Sequence, residues 1–268
     1  MNSYKIIDAH CHVYPDKIAR KASDSTADFY HMPSLYDGKI STLLAEGSAC
    51  GISHFIIQSV ATAPKQVSSI NHFIATAVGE GEGRFTGLGT LHPDSESIEA
   101  EVAEIVALGL RGVKLHPDIQ RFRIDDGKMD AIYSLCDAAH LPILMHTGDH
   151  RFDYSNPARM KAVLDRYPHL TVIGAHFGGW SVWEDAVRLL VGYEHFYVDC
   201  SSSLYAMSPT AARDLISAFG VGRVLFGTDY PMWDIKTELE RFMALDLTER
   251  ERVGILAENA ANLFGITY

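Results

Sequence analysis

The chain begins its chemistry early. Residues 6–16 read IIDAHCHVYPD, an apolar pair running straight into Asp8, His10 and His12. On an extended strand, side chains two apart point to the same side, so His10 and His12 would share one face. Other short apolar runs end in residues of the same kind. LRGVKLH ends in Lys114 and His116, LPILMH in His146, LTVIGAH in His176, and RVLFGTD in Asp229. Neutral imidazoles and a carboxylate are ligands for a divalent ion such as zinc. Three histidines and one aspartate would leave net positive charge on the ion, which lowers the pKa of a coordinated water toward ~7. Taken singly, each histidine reads equally well as a polar anchor at a strand end. The conjunction across distant runs is what carries the metal reading. His31, His54, His72, His92, His140, His150, His169 and His195 read as ordinary polar residues, His92 in a turn beside Pro93.

The elements that must bring these residues together recur along the whole length. Beside the runs above stand YKIIDA, HFIIQSV, FTGLGTL and HFYVDC. Such runs read as strands buried on both faces, the habit of a parallel sheet. Helical stripes lie between them: Val67, Ile70, Phe73, Ile74, Ala77 and Val78; Val102, Ile105 and Val106; Met129, Ile132, Tyr133 and Cys136. Met160, Val163, Leu164 and Tyr167 form another, and Leu215, Ile216 and Phe219 a shorter one. ERVGILAENAANLFGI closes the series with a helix. Strand then helix, repeated eight times, predicts an α/β chain of the (β/α)8 TIM-barrel class, one domain over residues 1–268, with its site at the C-terminal ends of the strands. The competing doubly wound sheet would show a glycine-rich phosphate turn after its first strand, where DAHCHVYP stands instead. Val13 to Lys39 reads as a loop or small excursion over the barrel mouth, with FYHMPSLY placed to cover a site.

The bulk numbers bound the partners. Of 268 residues, 47% are hydrophobic and 21% charged, as in an ordinary soluble globular protein. A formal net charge of −11 disfavours nucleic acid as a partner. Cys11, Cys50, Cys136 and Cys200 form no C-x-x-C pair and read as free thiols in a reducing compartment. MNSYKIIDAH has no basic-then-apolar leader pattern, and no apolar stretch is long enough to span a bilayer. The expectation is a cytoplasmic protein acting on a small molecule, with no nucleic-acid or membrane partner and a homo-oligomer left open.

Together the motifs resemble those of the amidohydrolase superfamily over essentially the full chain. DAHCH is similar to its first-strand H-x-H signature, HTG to its fifth-strand histidine, and GAHFGG to its sixth-strand histidine. FGTDYP is similar to its eighth-strand aspartate and ENAANLFG to its terminal helix. The likeness is closest to the amidohydrolase-related branch that holds aminocarboxymuconate semialdehyde decarboxylase-like metal-dependent hydrolases. The resemblance implies one divalent metal, Zn2+, on His10, His12, His146 and Asp229. It implies His176 beside the bound water and Asp229 as general base, with Asp8 bracing a histidine or the strand. Some members carry a carboxylated lysine on strand four that bridges two metals. Lys114 stands at that place, which would put His10, His12 and Asp229 on one ion and His146 and His176 on the other. Two alternatives stay open: an ammonium that binds a substrate carboxylate, or one that pairs with a nearby acid. One metal is favoured because this branch is mostly mononuclear. GVKLHPD does not clearly match the pattern of the decarboxylases at this strand.

Arg151, in HTGDHRFDYSNP, offers a bidentate fork suited to a substrate carboxylate, and reads equally as a solvated loop arginine. Arg121 and Arg123, following His116, carry the same two readings as lesser candidates; His116 and Gln120 are further substrate-binding candidates, with Tyr154 and Trp180 as pocket lining. The leading expectation is a metal-dependent hydrolase that attacks an amide, ester or lactone bond of a small carboxylated compound. Its alternative is a metal-dependent nonoxidative decarboxylase of a small aromatic or unsaturated acid. A barrel that binds a ligand without catalysis is the third reading, and a nuclease is disfavoured by the missing basic stripe.

Overall fold

The computed structural model describes residues 4–267. The leader reading rests in part on Met1–Ser3, which lie outside the described residues. Strands and helices alternate along the chain. In order they are β1 (Ile7–His12), α1 (Ala19–Tyr30), α2 (Ile40–Ala49), β2 (His54–Gln58), α3 (Val67–Glu80), β3 (Phe85–Gly87), β4 (Gly89–Thr90), α4 (Ile98–Ala107), β5 (Val113–Leu115) and α5 (Pro117–Gln120). There follow α6 (Asp130–Ala138), β6 (Ile143–Met145), α7 (Pro157–Arg166), β7 (Val172–Gly174), α8 (Trp183–Leu190), β8 (Phe196–Asp199), α9 (Pro209–Phe219), β9 (Val224–Leu225), α10 (Ile235–Met243), α11 (Glu249–Val253) and α12 (Asn259–Phe264). The chain forms two compact units that interleave in sequence. The first takes the chain through Gln58, Ala77–Thr86 and everything from Cys200 on; the second takes Ser59–Thr76 and Gly87–Asp199.

In the first unit β1 and β2 run parallel, with Ile7 opposite His54 and His12 opposite Gln58. Between Asp8 and Cys11 the register slips by one residue, a bulge of the kind that re-aims side chains beside a site. The other edge of β1 takes up the chain around β9. Ala9 N donates to Phe226 O at 2.8 Å and His12 N to Tyr230 O at 2.7 Å. This pairing sets Asp229 beside the histidines.

The stretch Val13–Lys39 departs from the expected loop, because it carries α1. That helix buries only Ala19 and Ser23, so no apolar stripe marks it in the sequence. Beyond it FYHMPSLY is tied to the chain just past Asp229. Leu35 N, Tyr36 N and Ser34 Oγ all donate to Pro231 O. Tyr36 stacks on Tyr230 at 5.4 Å and donates its hydroxyl to Asp234.

In the second unit β4 to β8 each run parallel to the next, through Gly89–Val113, Val113–Ile143, Ile143–Val172 and Val172–Phe196. Strands β5, β6 and β7 are buried at every residue, which is why they read as unbroken apolar runs. The third run, expected as one strand, is split: β3 orders with β2 and β4 with β5. Gly87 and Gly89 flank the break, and glycine weakens a strand interior. Gly89 is required there, since a Cβ would come within 2.7 Å of Ile105 on α4.

Helix α10, in the first unit, carries a buried acid. Its start is capped by Asp234, which accepts from Thr237 N at 2.8 Å. Glu238 is 1% exposed and pairs with Arg241 through Oε1, while its Oε2 has no partner among the described residues. Burial pushes its pKa up to about 7. The folded pKa therefore lies above the unfolded value of roughly 4.3, so the folded chain binds the proton more tightly. This proton-linked stability is fully present below pH ~4.3 and is lost as the pH rises through about 7. Glu238→Gln, which cannot ionise, is expected to raise the unfolding free energy at pH 8 by about 1–3 kcal/mol. The gain should all but vanish at pH 4. Chemical denaturation at the two pH values checks this, and an equal effect at both would refute it. No helix among the described residues is long and apolar enough to cross a membrane.

Candidate metal centre

Two strand-end groups of histidine and aspartate stand out, one in each unit. In the first, His10 Nε2 and His12 Nε2 lie 3.2 Å apart, and Asp229 Oδ1 lies 3.4 Å from the former and 3.6 Å from the latter. An ion about 2.1 Å from each ligand needs ligand–ligand edges of about 3.0 Å in an octahedral shell and about 3.4 Å in a tetrahedral one. The triangle has those edges. Two imidazole nitrogens and one carboxylate oxygen are also the donor set that a divalent ion takes. The residues present fit the ion.

Neighbouring side chains fix how His10 and Asp229 point. Ser201 Oγ stands 3.1 Å from His10 Nδ1, which holds that nitrogen and leaves Nε2 facing the triangle. Asp229 Oδ2 accepts from Ser202 Oγ at 2.5 Å, and that hydroxyl accepts from Trp233 Nε1 at 2.6 Å. Trp233 is itself stacked on Tyr205 at 4.3 Å. Asp8, fully buried, accepts from His10 N, Thr228 N and Thr228 Oγ1, and so ties the histidine strand to the residue before Asp229. Burial raises its pKa to about 6 against the pull of those bonds. Gly227 leaves room for the ring next door, since a Cβ there would sit 2.9 Å from His10 Cβ. Gln58, opposite His12, is fully buried, and neither its Oε1 nor its Nε2 has a hydrogen-bond partner among the described residues. A buried polar group left so costs about 1–3 kcal/mol.

In the second unit His146 is the hub. Its Nδ1 lies 3.1 Å from His176 Nε2 and its Nε2 lies 3.4 Å from Asp118 Oδ2. His116 stacks on it with ring centroids 4.0 Å apart and planes within 7°. His116, Asp118 and His146 thus form a tight polar trio, but the two parallel imidazoles share no in-plane point where both lone pairs would meet an ion. Asp118 instead suits a partner for the Nε2–H of His146, which makes Nδ1 the acceptor in the contact with His176. Burial, and after it the Asp149 charge, raises the Asp118 pKa to about 7. His176 is pinned through its backbone N, which donates to Asp199 at 3.1 Å.

The other expected residues have definite places. His116 Nδ1 accepts from Ile119 N and begins α5. Gln120 donates to Ala61 O and Leu91 O and accepts from His116 N, so its amide ties three backbone segments together. Arg151 turns its fork on a carboxylate of this chain, with Nη2 2.7 Å and Nε 3.0 Å from the Asp149 oxygens, and lies over Trp180. Lys114 is buried on β5, and its carbonyl accepts from Thr90 Oγ1. Sequence reasoning misses Asp118, Ser201, Ser202, Trp233 and Gln58. Asp118 stands inside the quoted GVKLHPD, and its position two residues past His116 is the only signal available; the serines and the glutamine carry none.

The amidohydrolase family model matches residues 7–266. The gamma-resorcylate decarboxylase of Rhodococcus jostii is 31% identical over 121 residues, a match spanning 38% of this chain and 36% of the length of that enzyme. A TIM-barrel protein from Bordetella bronchiseptica superposes with a TM-score of 0.81 at 23% identity, covering 97% of this chain and 98% of its own. A dihydroxybenzoic acid decarboxylase from Polaromonas, solved with manganese and 2-nitroresorcinol, gives 0.75 at 18% identity over 98% and 97% of the two chains. The fold is therefore the expected (β/α)8 TIM barrel. The expected hydrolysis of an amide, ester or lactone is overturned: both curated relatives are gamma-resorcylate decarboxylases, and most of the similar solved structures with an activity in their names are decarboxylases, beside one named a putative 2-pyrone-4,6-dicarboxylic acid hydrolase. The error has a physical source, because one ligand set serves both water attack and carboxylate binding and does not select the bond that breaks. With nearly every described residue inside the family match, the chain belongs to the amidohydrolase family.

Proposed function

We propose that this protein is a metal-dependent nonoxidative decarboxylase of a small aromatic acid bearing a hydroxyl next to its carboxylate. The observation that carries the proposal is the His10–His12–Asp229 triangle, whose edges fit a divalent ion. The decarboxylase relatives support the choice of reaction. When bound, the ion would supply positive charge that holds the substrate's carboxylate and draws electron density from the ring. His10 and His12 orient toward it as neutral ligands, and Asp229 supplies the one negative charge. The bond between ring carbon and carboxylate breaks, CO2 leaves, and the electron pair on the ring carbon takes a proton. One ion per chain is proposed, Zn2+ or the Mn2+ that a relative holds, with Lys114 unmodified. The four free thiols support a reducing compartment, the cytoplasm.

The test is a panel of hydroxybenzoic acids offered to the metal-loaded protein, with CO2 release and the decarboxylated phenol both measured. Stoichiometric CO2 from an ortho-hydroxy acid, abolished by a chelator and restored by added Mn2+ or Zn2+, is the expected result. No CO2 from any member of the panel would overturn the reading.

A further inference from the structure

We propose that Gln58 is a substrate-binding residue whose amide reads a hydroxyl lying beside a carboxylate. It is the last residue of β2, and its Cα pairs with that of His12 on β1. Register partners on parallel strands project their side chains from the same face of the sheet. His12 turns its ring toward His10 and Asp229, so Gln58 stands beside that triangle. Its backbone carbonyl is used, accepting from Val13 N at 2.9 Å. Its side chain is not: the residue is fully buried, and Oε1 and Nε2 both lack partners among the described residues.

A buried amide with neither atom matched is costly unless something else meets it. An apolar residue of the same length would fill this place at no such cost, so the amide signals a ligand. Its chemistry narrows the class. The amide edge presents one acceptor and one donor side by side. A bare carboxylate would satisfy Nε2 and leave Oε1 facing an anion. An ammonium would satisfy Oε1 and leave Nε2 idle. A hydroxyl next to a carboxylate meets both, donating to Oε1 and accepting from Nε2. The assignment rests on the decarboxylase reading above and supplies what that reading leaves open, the group that selects hydroxy acids over plain acids.

The experiment measures binding of 2-hydroxybenzoate and of benzoate to metal-loaded wild type, Gln58→Met and Gln58→Glu by calorimetry, with Tm recorded without either acid. Wild type is expected to prefer 2-hydroxybenzoate by about 10–100-fold. Gln58→Met should keep or raise the Tm and keep the affinity for benzoate, while the preference collapses to about threefold or less. Gln58→Glu should lose affinity for both acids through like charge, and serves as the test if the methionine variant fails to fold. A preference undiminished in Gln58→Met would overturn the assignment, as would a fall in Tm with both affinities lost together, the mark of a merely structural amide. A wild type that releases CO2 from a hydroxy acid yet binds the two probes equally overturns the Gln58 assignment alone. A wild type that binds neither acid and releases no CO2 overturns the reading of function, and this assignment with it.

Discussion

Asp229→Asn is expected to fold as the wild type does and to lose the proposed decarboxylation by about 10³-fold, together with its affinity for a divalent ion. The fold should survive for two reasons. Asp229 has a left-handed backbone, φ 59°, which asparagine tolerates better than other residues with a side chain. Its Oδ2 contact with Ser202 also has a replacement, since an amide oxygen accepts from the same hydroxyl. The function should not survive. The triangle holds a single negative charge, and the amide removes it. Worse, an amide N–H in place of Oδ1 would point a donor at His10 Nε2 and His12 Nε2, 3.4 and 3.6 Å away, and occupy the lone pairs an ion needs. Elemental analysis of the purified variant should find the ion lost, and thermal melting should find Tm within a few degrees of wild type. A variant that keeps both its ion and its turnover would remove Asp229 from the centre.

The largest effect on stability is expected at Gly148, two residues past His146. Its φ of +76° already favours glycine. A Cβ built there would lie 2.6 Å from Gly179 C, Gly179 Cα and Trp180 N. These are backbone atoms, so no rotamer change relieves the clash. The two turns are stitched together besides: Trp180 N donates to Thr147 O at 2.8 Å, and Thr147 Oγ1 donates to Ala175 O at 2.7 Å. Left-handed strain of about 1–2 kcal/mol and overpacking of about 1–3 kcal/mol together put Gly148→Ala about 3–4 kcal/mol below wild type. For a chain of this size that is a Tm lower by about 10 °C, read by scanning calorimetry. The same displacement should pull His146 and His176 out of register, so residual folded protein should be impaired as well. A Tm within about 2 °C of wild type would mean the two turns are free to separate. The close approach also explains why HTG and GAHFGG both carry glycine after their histidines.

Much of this protein was legible in one dimension. Apolar runs at near-regular intervals announce buried parallel strands, because a strand covered on both faces has no polar side to show. His10, His12 and Asp229 could be named because few residue types ligate metal and a strand places alternate side chains together. What the sequence left unmarked was decided by packing. Helix α1 was invisible because it buries almost nothing. The break at Gly87–Gly89 looks like an ordinary strand until Ile105 presses on it. Arg151 reads in sequence as a fork for a substrate carboxylate or as a solvated loop arginine, and grips Asp149 in space. Asp118, Ser201, Ser202 and Gln58 are common residue types whose meaning lies wholly in what stands opposite them. Ligand identity is a property of the side chain itself and can be read along the chain. The hydrogen bonds that orient a ligand, and the unmatched amide beside it, are properties of pairs of atoms brought together from distant segments, and only the tertiary structure makes those pairs.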